Sequence, residues 1–285
     1  MKSMLILTDF SEEAFRAAEY ACELAAPLHI ERIVLFHAYQ PVMAVAGTIP
    51  PAVPITSDQE LYLESMESLG LLQDRLKPMV KHDVTIDMVA EETTLGDLAD
   101  VINQRSQKEE IDLIVMGVSN KSGLEKFLTG GTTAKMLKAG EWPVLVVPEN
   151  ALLGRAIKTI VFTTDLKDVD TTIPAHKLYD FLDALPGKLQ VINVQKEPAE
   201  KKSPETEKAI TDLHKLLDKY DPAFNYVTGD NTVEEILAFA AHQHASLIVA
   251  VHQKHGFLSR LFHESTTKKL AYNSSIPLLS LPGLG

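Results

Sequence analysis

The sequence predicts an α/β chain in two similar halves, each a parallel sheet flanked by helices. Three observations carry that reading. Short β-branched runs alternate with longer stretches of helical period, the pattern of βαβ units. The alternation passes through the chain twice. Segments of the two passes also match: ILTDF at 6–10 answers FTTDL at 162–166, LIVMG at 113–117 answers LIVAV at 247–251, and PVLVVP at 143–148 answers PLLSLP at 277–282. A chain of 285 residues has room for two domains of ordinary size, here 1–150 and 151–285, with Glu149–Ala156 as the linker.

In the first half the strand candidates are Met4–Thr8, Ile33–Ala38, Val84–Val89, Leu113–Gly117 and Val144–Val147. Between them, Ser11–Ala26 reads as a helix capped by Ser11, with Ala14, Ala17, Ala18, Ala21 and Leu24 on one face. Asp58–Val80 follows, with Leu61, Leu63, Met66, Leu69, Leu71 and Leu72 as its apolar residues. A third helix starts at Thr94, where Thr94-x-x-Asp97 resembles a capping box, and runs to about Gln107. The second half predicts strands at Thr159–Thr164, Leu189–Val194, Phe224–Thr228, Leu247–Val251 and Pro277–Leu281. Its helices begin near Thr171, Pro204, Thr232 and Ser265, with Thr232-x-x-Glu235 as another capping box. The Gln40–Thr56 segment, carrying Pro41, Pro50, Pro51 and Pro54, is longer than its counterpart in the second half and reads as a solvated insertion, with a lid or partner surface as the other reading. The apolar last strand of each half would lie at a sheet edge, and edges seek partners; the tandem chain predicts an intramolecular pseudo-dimer through these strands and leaves a homo-oligomer open.

Apolar residues make up 45% and charged residues 23%, enough apolar matter for real cores. A net charge of −12 argues against nucleic acid and anionic membranes as partners, although a locally positive pocket could still take a nucleotide. Cys22 is the only cysteine, so no intrachain disulfide forms and a reducing compartment is expected. Met1-Lys2-Ser3 runs straight into a strand-like MLILT, and no apolar run approaches the roughly 18 residues of a membrane span, so the expected location is cytoplasmic.

The stretch Leu113–Pro148 organises the first half. An apolar run ends in Gly117, a loop of small residues reaches Gly130 and Gly131, and a helix-like run begins near Thr132. A strand opening into a glycine-bearing loop and then a helix start can hold phosphate, because glycine lets the backbone approach and the free N–H groups face the anion. The spacing is Gly117, two residues, Asn120, nine residues, Gly130, then Gly131. This resembles the nucleotide loop of the universal stress protein family, whose pattern has glycine at the Asn120 position and Ser or Thr at the Gly131 position. Asn120 tolerates left-handed backbone angles, so the turn survives. Gly131 keeps an N–H but loses a hydroxyl, which Thr132 is placed to supply.

The resemblance covers essentially the whole chain. It implies two tandem Rossmann-like domains of the adenine nucleotide alpha-hydrolase-like type, each a five-stranded parallel sheet of order 3-2-1-4-5 flanked by helices. In that order the first and fourth strands flank the topological switch point. It further implies that Asp9 contacts the adenosine part of a nucleotide, that Leu7 and Ala38 line the adenine pocket, and that the Met116 backbone meets the nucleoside. The plainer readings are that Asp9 caps the following helix and that Leu7 and Ala38 pack the core.

In the second half Val251, Lys254 and His263 stand where glycines are expected, so no phosphate cradle of this kind is predicted although Asp165 survives. Basic residues replace it: His252, Lys254, His255, Arg260, His263, Lys268 and Lys269. The loop histidines, with His242 and His244, lack an acidic or cysteine partner at a metal-site spacing, so no metal is predicted beyond Mg²⁺ arriving with a nucleotide. No nucleophile motif is present. The resulting expectation is a stress-response protein that binds or senses ATP in its first domain, with at most slow hydrolysis and an unknown protein partner. A ligand-free scaffold, or a weak ATP hydrolase using Lys121 or Lys126, are the alternatives.

Overall fold

The computed structural model describes residues 1–40, 43–44, 53–54, 57–93, 98–118, 136, 141–195, 203–252 and 276–284. Asn120, Gly130, Gly131 and Thr132 lie outside the described residues, as do the Thr94 capping box, the helix starts at Thr132 and Ser265, and the basic positions from Lys254 to Lys269.

The first half contains β1 (Ser3–Leu7), α1 (Glu12–Ala25), β2 (Arg32–Tyr39), β3 (Met43–Ala44), β4 (Val53–Pro54), α2 (Asp58–Leu76), β5 (Thr85–Glu92), α3 (Leu98–Lys108), β6 (Leu113–Val118) and β7 (Val144–Pro148). The second contains β8 (Thr159–Thr163), α4 (Val169–Thr172), α5 (Ala175–Ala184), β9 (Lys188–Gln195), α6 (Pro204–Leu217), β10 (Ala223–Thr228), α7 (Thr232–His242), β11 (Leu247–His252) and β12 (Leu278–Pro282). The short β3 and β4 pair antiparallel as a two-stranded ladder inside the proline-bearing segment. Among the described residues no helix is long and apolar enough to cross a membrane.

Ten strands form one sheet in the order β10-β9-β8-β11-β12-β7-β6-β1-β2-β5. Within each half every pairing in this sheet is parallel. Read from the outer edge inward, each half places its main strands third, second, first, fourth, fifth. The central strands are apolar without alternation, as in SMLIL of β1 and VLVVP of β7, because helices cover both faces of a parallel sheet. Where the halves meet, β7 and β12 pair antiparallel, with Leu278 beside Val146, Leu279 beside Leu145 and Ser280 beside Val144. Each apolar edge is thereby closed by the other half. On one face the core is continuous across that seam, joining Ala21, Leu69, Leu145 and Val147 to Phe162, Leu178, Leu213 and Leu279. On the other face it is divided into a cluster around Leu5, Phe36, Ile102 and Met116 and another around Val161, Ile192, Ile236 and Ile248.

Ser11 caps α1 as expected, its hydroxyl accepting the Ala14 N–H at 3.2 Å, and Ala14, Ala17, Ala18, Ala21 and Leu24 are buried against the sheet. Three expectations are corrected. First, α2 stops at Leu76 and passes into a 3₁₀ turn at Lys77–Met79, since Pro78 has no N–H to continue an α-helical ladder. Its buried face is Ser65, Leu69, Leu72 and Leu76, while Leu63 and Leu71 are 58% and 65% exposed. Second, the helix expected near Thr171 is two helices, the one-turn α4 and then α5, separated at Ile173 and Pro174. Third, α7 is capped by Asn231 and not by a Thr232 box: the Asn231 side-chain Oδ1 accepts from the N–H groups of Val233 and Glu234 at 3.2 and 3.4 Å. Asn231→Ala is therefore expected to lower stability in urea unfolding by about 1 kcal/mol, and Thr232→Ala by clearly less. Equal losses in the two variants would return the cap to Thr232.

Candidate functional site

The strand order reverses between β1 and β6, so their carboxyl ends open a crevice beside the end of β2. Leu7 closes β1, Met116 and Gly117 lie near the end of β6, and Ala38 near the end of β2. Leu7 and Ala38 are half-buried and pack on the same apolar cluster as the buried Met116, so the structure brings these three to one face of the sheet.

Immediately past β1 the chain makes a tight, fully specified turn. The Thr8 N–H donates to the Phe36 carbonyl at 2.9 Å, which keeps the turn tied to β2. The Phe10 N–H donates to Thr8 Oγ1 at 3.0 Å. Phe10 itself takes a left-handed backbone, with φ of 64°, which is uncommon for a bulky side chain and held only because its surroundings fix it. Phe10 is 39% exposed, and its ring lies 4.4 Å from the His37 ring, centroid to centroid. His37 Nδ1 is 2.8 Å from the Thr8 carbonyl oxygen; a carbonyl only accepts, so Nδ1 carries the proton and donates.

Asp9 is exposed, and its Oδ1 accepts from both the N–H and the hydroxyl of Ser11, at 3.1 and 2.6 Å. Asp9 thus does not cap α1; it holds the residue that does. Its Oδ2 has no hydrogen-bond partner among the described residues. Gly117 answers a different need. A Cβ on Gly117 would collide with the backbone of Glu13 and Ala14 in the first turn of α1, so only glycine lets the end of β6 run this close to the helix start. The site therefore sets a carboxylate with one oxygen unpartnered among the described residues just before the N-terminal turn of α1, against which the end of β6 packs backbone to backbone.

The second half repeats the turn almost bond for bond. The Thr164 N–H donates to the Ile192 carbonyl at 3.2 Å, and the Leu166 N–H to Thr164 Oγ1 at 3.1 Å. Leu166 is left-handed, with φ of 58°, and the Lys167 N–H donates to Asp165 Oδ1 at 3.1 Å. Asn193 Nδ2 donates to the Thr164 carbonyl at 2.8 Å, in the place of His37. Two things differ. Lys167 stands where Ser11 stands and has no hydroxyl to offer Asp165. Val251, at the Gly117 position, is a buried member of the core. The chain after Asp165 also passes through a left-handed Asp168 into the one-turn α4, where the first half runs directly into the long α1.

Sequence reasoning picked out Asp9, Asp165 and the two positions at Gly117 and Val251. It missed the threonine that ties each turn, the left-handed Phe10 and Leu166, and the His37 and Asn193 tethers. The ILTDF and FTTDL match held the signal for the threonines. The tethers had none, because each joins residues 29 apart in the chain. Among the described residues no group of three or more His, Cys, Asp or Glu is arranged to hold a metal ion.

A family model, that of the Universal stress protein family, matches residues 1–148 and again residues 156–282. A universal stress protein of Methanocaldococcus jannaschii is 30% identical over 147 residues, covering 51% of this chain and 81% of that protein. Among solved structures, a universal stress protein from Archaeoglobus fulgidus superposes with a TM-score of 0.69 at 16% identity, covering 98% of this chain and 95% of that one. The cytoplasmic domain of a prokaryotic cation chloride cotransporter does so with a TM-score of 0.56 at 9% identity, covering 98% of this chain and 94% of that one. At such identities the likeness is one of fold alone.

Proposed function

Because the chain belongs to the universal stress protein family, we propose that it is a cytoplasmic, stress-responsive protein that binds one adenine nucleotide, ATP with Mg²⁺, in domain 1–150 and none in domain 151–285. The observation that carries this reading is the contrast at one position. Gly117 lets bare backbone meet the start of α1 beside Asp9, whereas Val251 fills the corresponding place with a buried side chain. In this reading the open oxygen of Asp9 accepts from the adenosine part, Leu7 and Ala38 flank the base, and the backbone at Met116 and Gly117 meets the nucleoside. Asn120, Gly130, Gly131 and Thr132 hold the phosphates. The nucleotide then acts as a signal read by a partner protein, with hydrolysis slow at most.

Titration calorimetry of the full chain with ATP is the test. One ATP per chain is expected. Asp9→Ala should weaken binding by about 1–3 kcal/mol, the effect of leaving ligand donors unpaired, while Asp165→Ala leaves it unchanged. Two ATP per chain, or loss on changing Asp165, overturns the one-site assignment. Equal affinity in Asp9→Ala and the parent removes Asp9 from the site. A second reading, a scaffold without nucleotide, is favoured by the two departures at Asn120 and Gly131 and would show as no saturable binding at all.

A further inference from the structure

At the amino ends of the second half's strands, which the antiparallel seam sets on the same sheet edge as the crevice but on the far side of β7, the linker and α7 frame a cleft of about 760 Å³. That volume falls in the roughly 300–1,000 Å³ range of small-molecule pockets. Its walls are mostly apolar. Leu237, Ala238 and Ala241 of α7 form one side, and Leu152 of the linker, 50% exposed, forms the lip. Two alanines one turn apart on a helix leave a shallow trough that suits a slender chain better than a flat ring. A large aliphatic side chain left in water at the lip gains by being covered.

The Lys and Arg side chains of the cleft are not offset by any Asp or Glu in its lining, which also holds the neutral polar groups of Tyr20, Ser246 and His244. Arg155 and Lys158 line it, both exposed and neither paired with a carboxylate among the described residues, in a protein of net charge −12. Tyr20 reaches in from α1; burial, and then the charge of Glu23, push its hydroxyl up to about 12, so it stays protonated and able to donate. Glu23 is itself engaged, its Oε1 accepting the Gly154 N–H at 2.7 Å. The groups lining the cleft are therefore apolar walls, two cations without a carboxylate partner among the described residues, the Tyr20 hydroxyl, the His244 ring and Ser246, whose hydroxyl oxygen already accepts the Lys158 N–H at 3.1 Å.

We propose that this cleft binds an amphipathic monoanion, an unbranched alkyl chain ending in a carboxylate. The chain lies along Ala238 and Ala241 under Leu152, and the carboxylate meets Arg155 and Lys158. Because the linker supplies the lip and Arg155, and Lys158 follows it directly before β8, such a ligand bridges the linker to α7 and couples its own concentration to the link between the halves.

Decanoate, below its micelle concentration, is the probe, titrated into the full chain with decanol as the uncharged comparator. One decanoate per chain is expected to bind saturably, with ATP binding unchanged. Reversing charge at the two exposed cations, Arg155→Glu with Lys158→Glu, should weaken decanoate by about ten-fold or more while decanol stays within about two-fold. Ala238→Trp, at an exposed helix position where an indole fills the trough without entering the core, should abolish both. Parental affinity for decanoate in Ala238→Trp, or equal effects of charge reversal on decanoate and decanol, overturns the proposal. So does the absence of saturable binding by the parent. None of these results bears on the nucleotide reading, whose site at the carboxyl ends of β1 and β6 shares no residue with this cleft.

Discussion

Leu279→Ala is expected to destabilise the whole chain by about 2–5 kcal/mol, and to do so in both halves at once. Leu279 is buried in β12 and sits beside Leu145 of β7, where the two halves pair. It also belongs to the core cluster that runs unbroken from Ala17 and Leu69 of the first half to Leu178 and Leu213 of the second. Removing its side chain leaves a cavity at the seam, where both halves depend on the same contacts. The readout is built into the molecule. Trp142 is the only tryptophan, and it packs on the first half's own cluster next to the start of β7. Urea unfolding followed by Trp142 fluorescence reports the first half, and far-ultraviolet circular dichroism reports the whole. Both midpoints should fall together in Leu279→Ala, although the substitution lies in the second half. A Trp142 transition that stays at the parental midpoint while the dichroism shifts would mean that the halves unfold independently and that the seam does not couple them.

Gly117→Ala is expected to lower stability by about 1–3 kcal/mol, a large loss for one methyl group, because the added Cβ has nowhere to go. The atoms it would strike are backbone atoms of Glu13 and Ala14, which cannot turn aside as a flexible side chain could. To make room, the first turn of α1 must move off the sheet, carrying with it Ser11, whose hydroxyl and N–H are held by Asp9. The same shift displaces the groups proposed to receive the nucleotide. ATP affinity should therefore fall more in Gly117→Ala than in Asp9→Ala, which removes one acceptor and leaves the backbone in place. Calorimetry at a temperature where both variants are folded, with urea unfolding alongside, measures the two effects separately. A Gly117→Ala protein of parental stability would show that the close approach of β6 to α1 is not required. One that loses stability but keeps parental ATP affinity would show that the approach is structural and that the nucleotide lies elsewhere.

Much of this protein was decided locally. The unbroken apolar runs of β1, β6, β7, β8 and β11 mark buried parallel strands because such strands are covered on both faces and have no polar side to alternate with. Ser11 and the alanine face of α1 are legible because a cap and a helical period involve residues only three or four apart. The repeated ILTDF and FTTDL motifs located both turns, and the glycine at 117 against the valine at 251 marked where the halves diverge.

The tertiary structure decided what depends on a partner far along the chain. Leu63 and Leu71 match the apolar character of α2, yet they face outward, since only the sheet beneath the helix determines which side is covered. The sequence shows Gly117 but not that the neighbour demanding it is the backbone of Glu13 in another element. His37 and Asn193 share no residue type, and they become equivalent only when β2 and β9 bring each to the carbonyl of the threonine that begins the neighbouring turn. The antiparallel seam of β7 and β12, and the cleft between the linker and α7, arise from how two similar halves meet. Periodicity, caps and turns act over a few residues and can be read along the chain. Register, close approach and the surfaces left open are set by what lies across the gap, and a linear sequence does not name that neighbour.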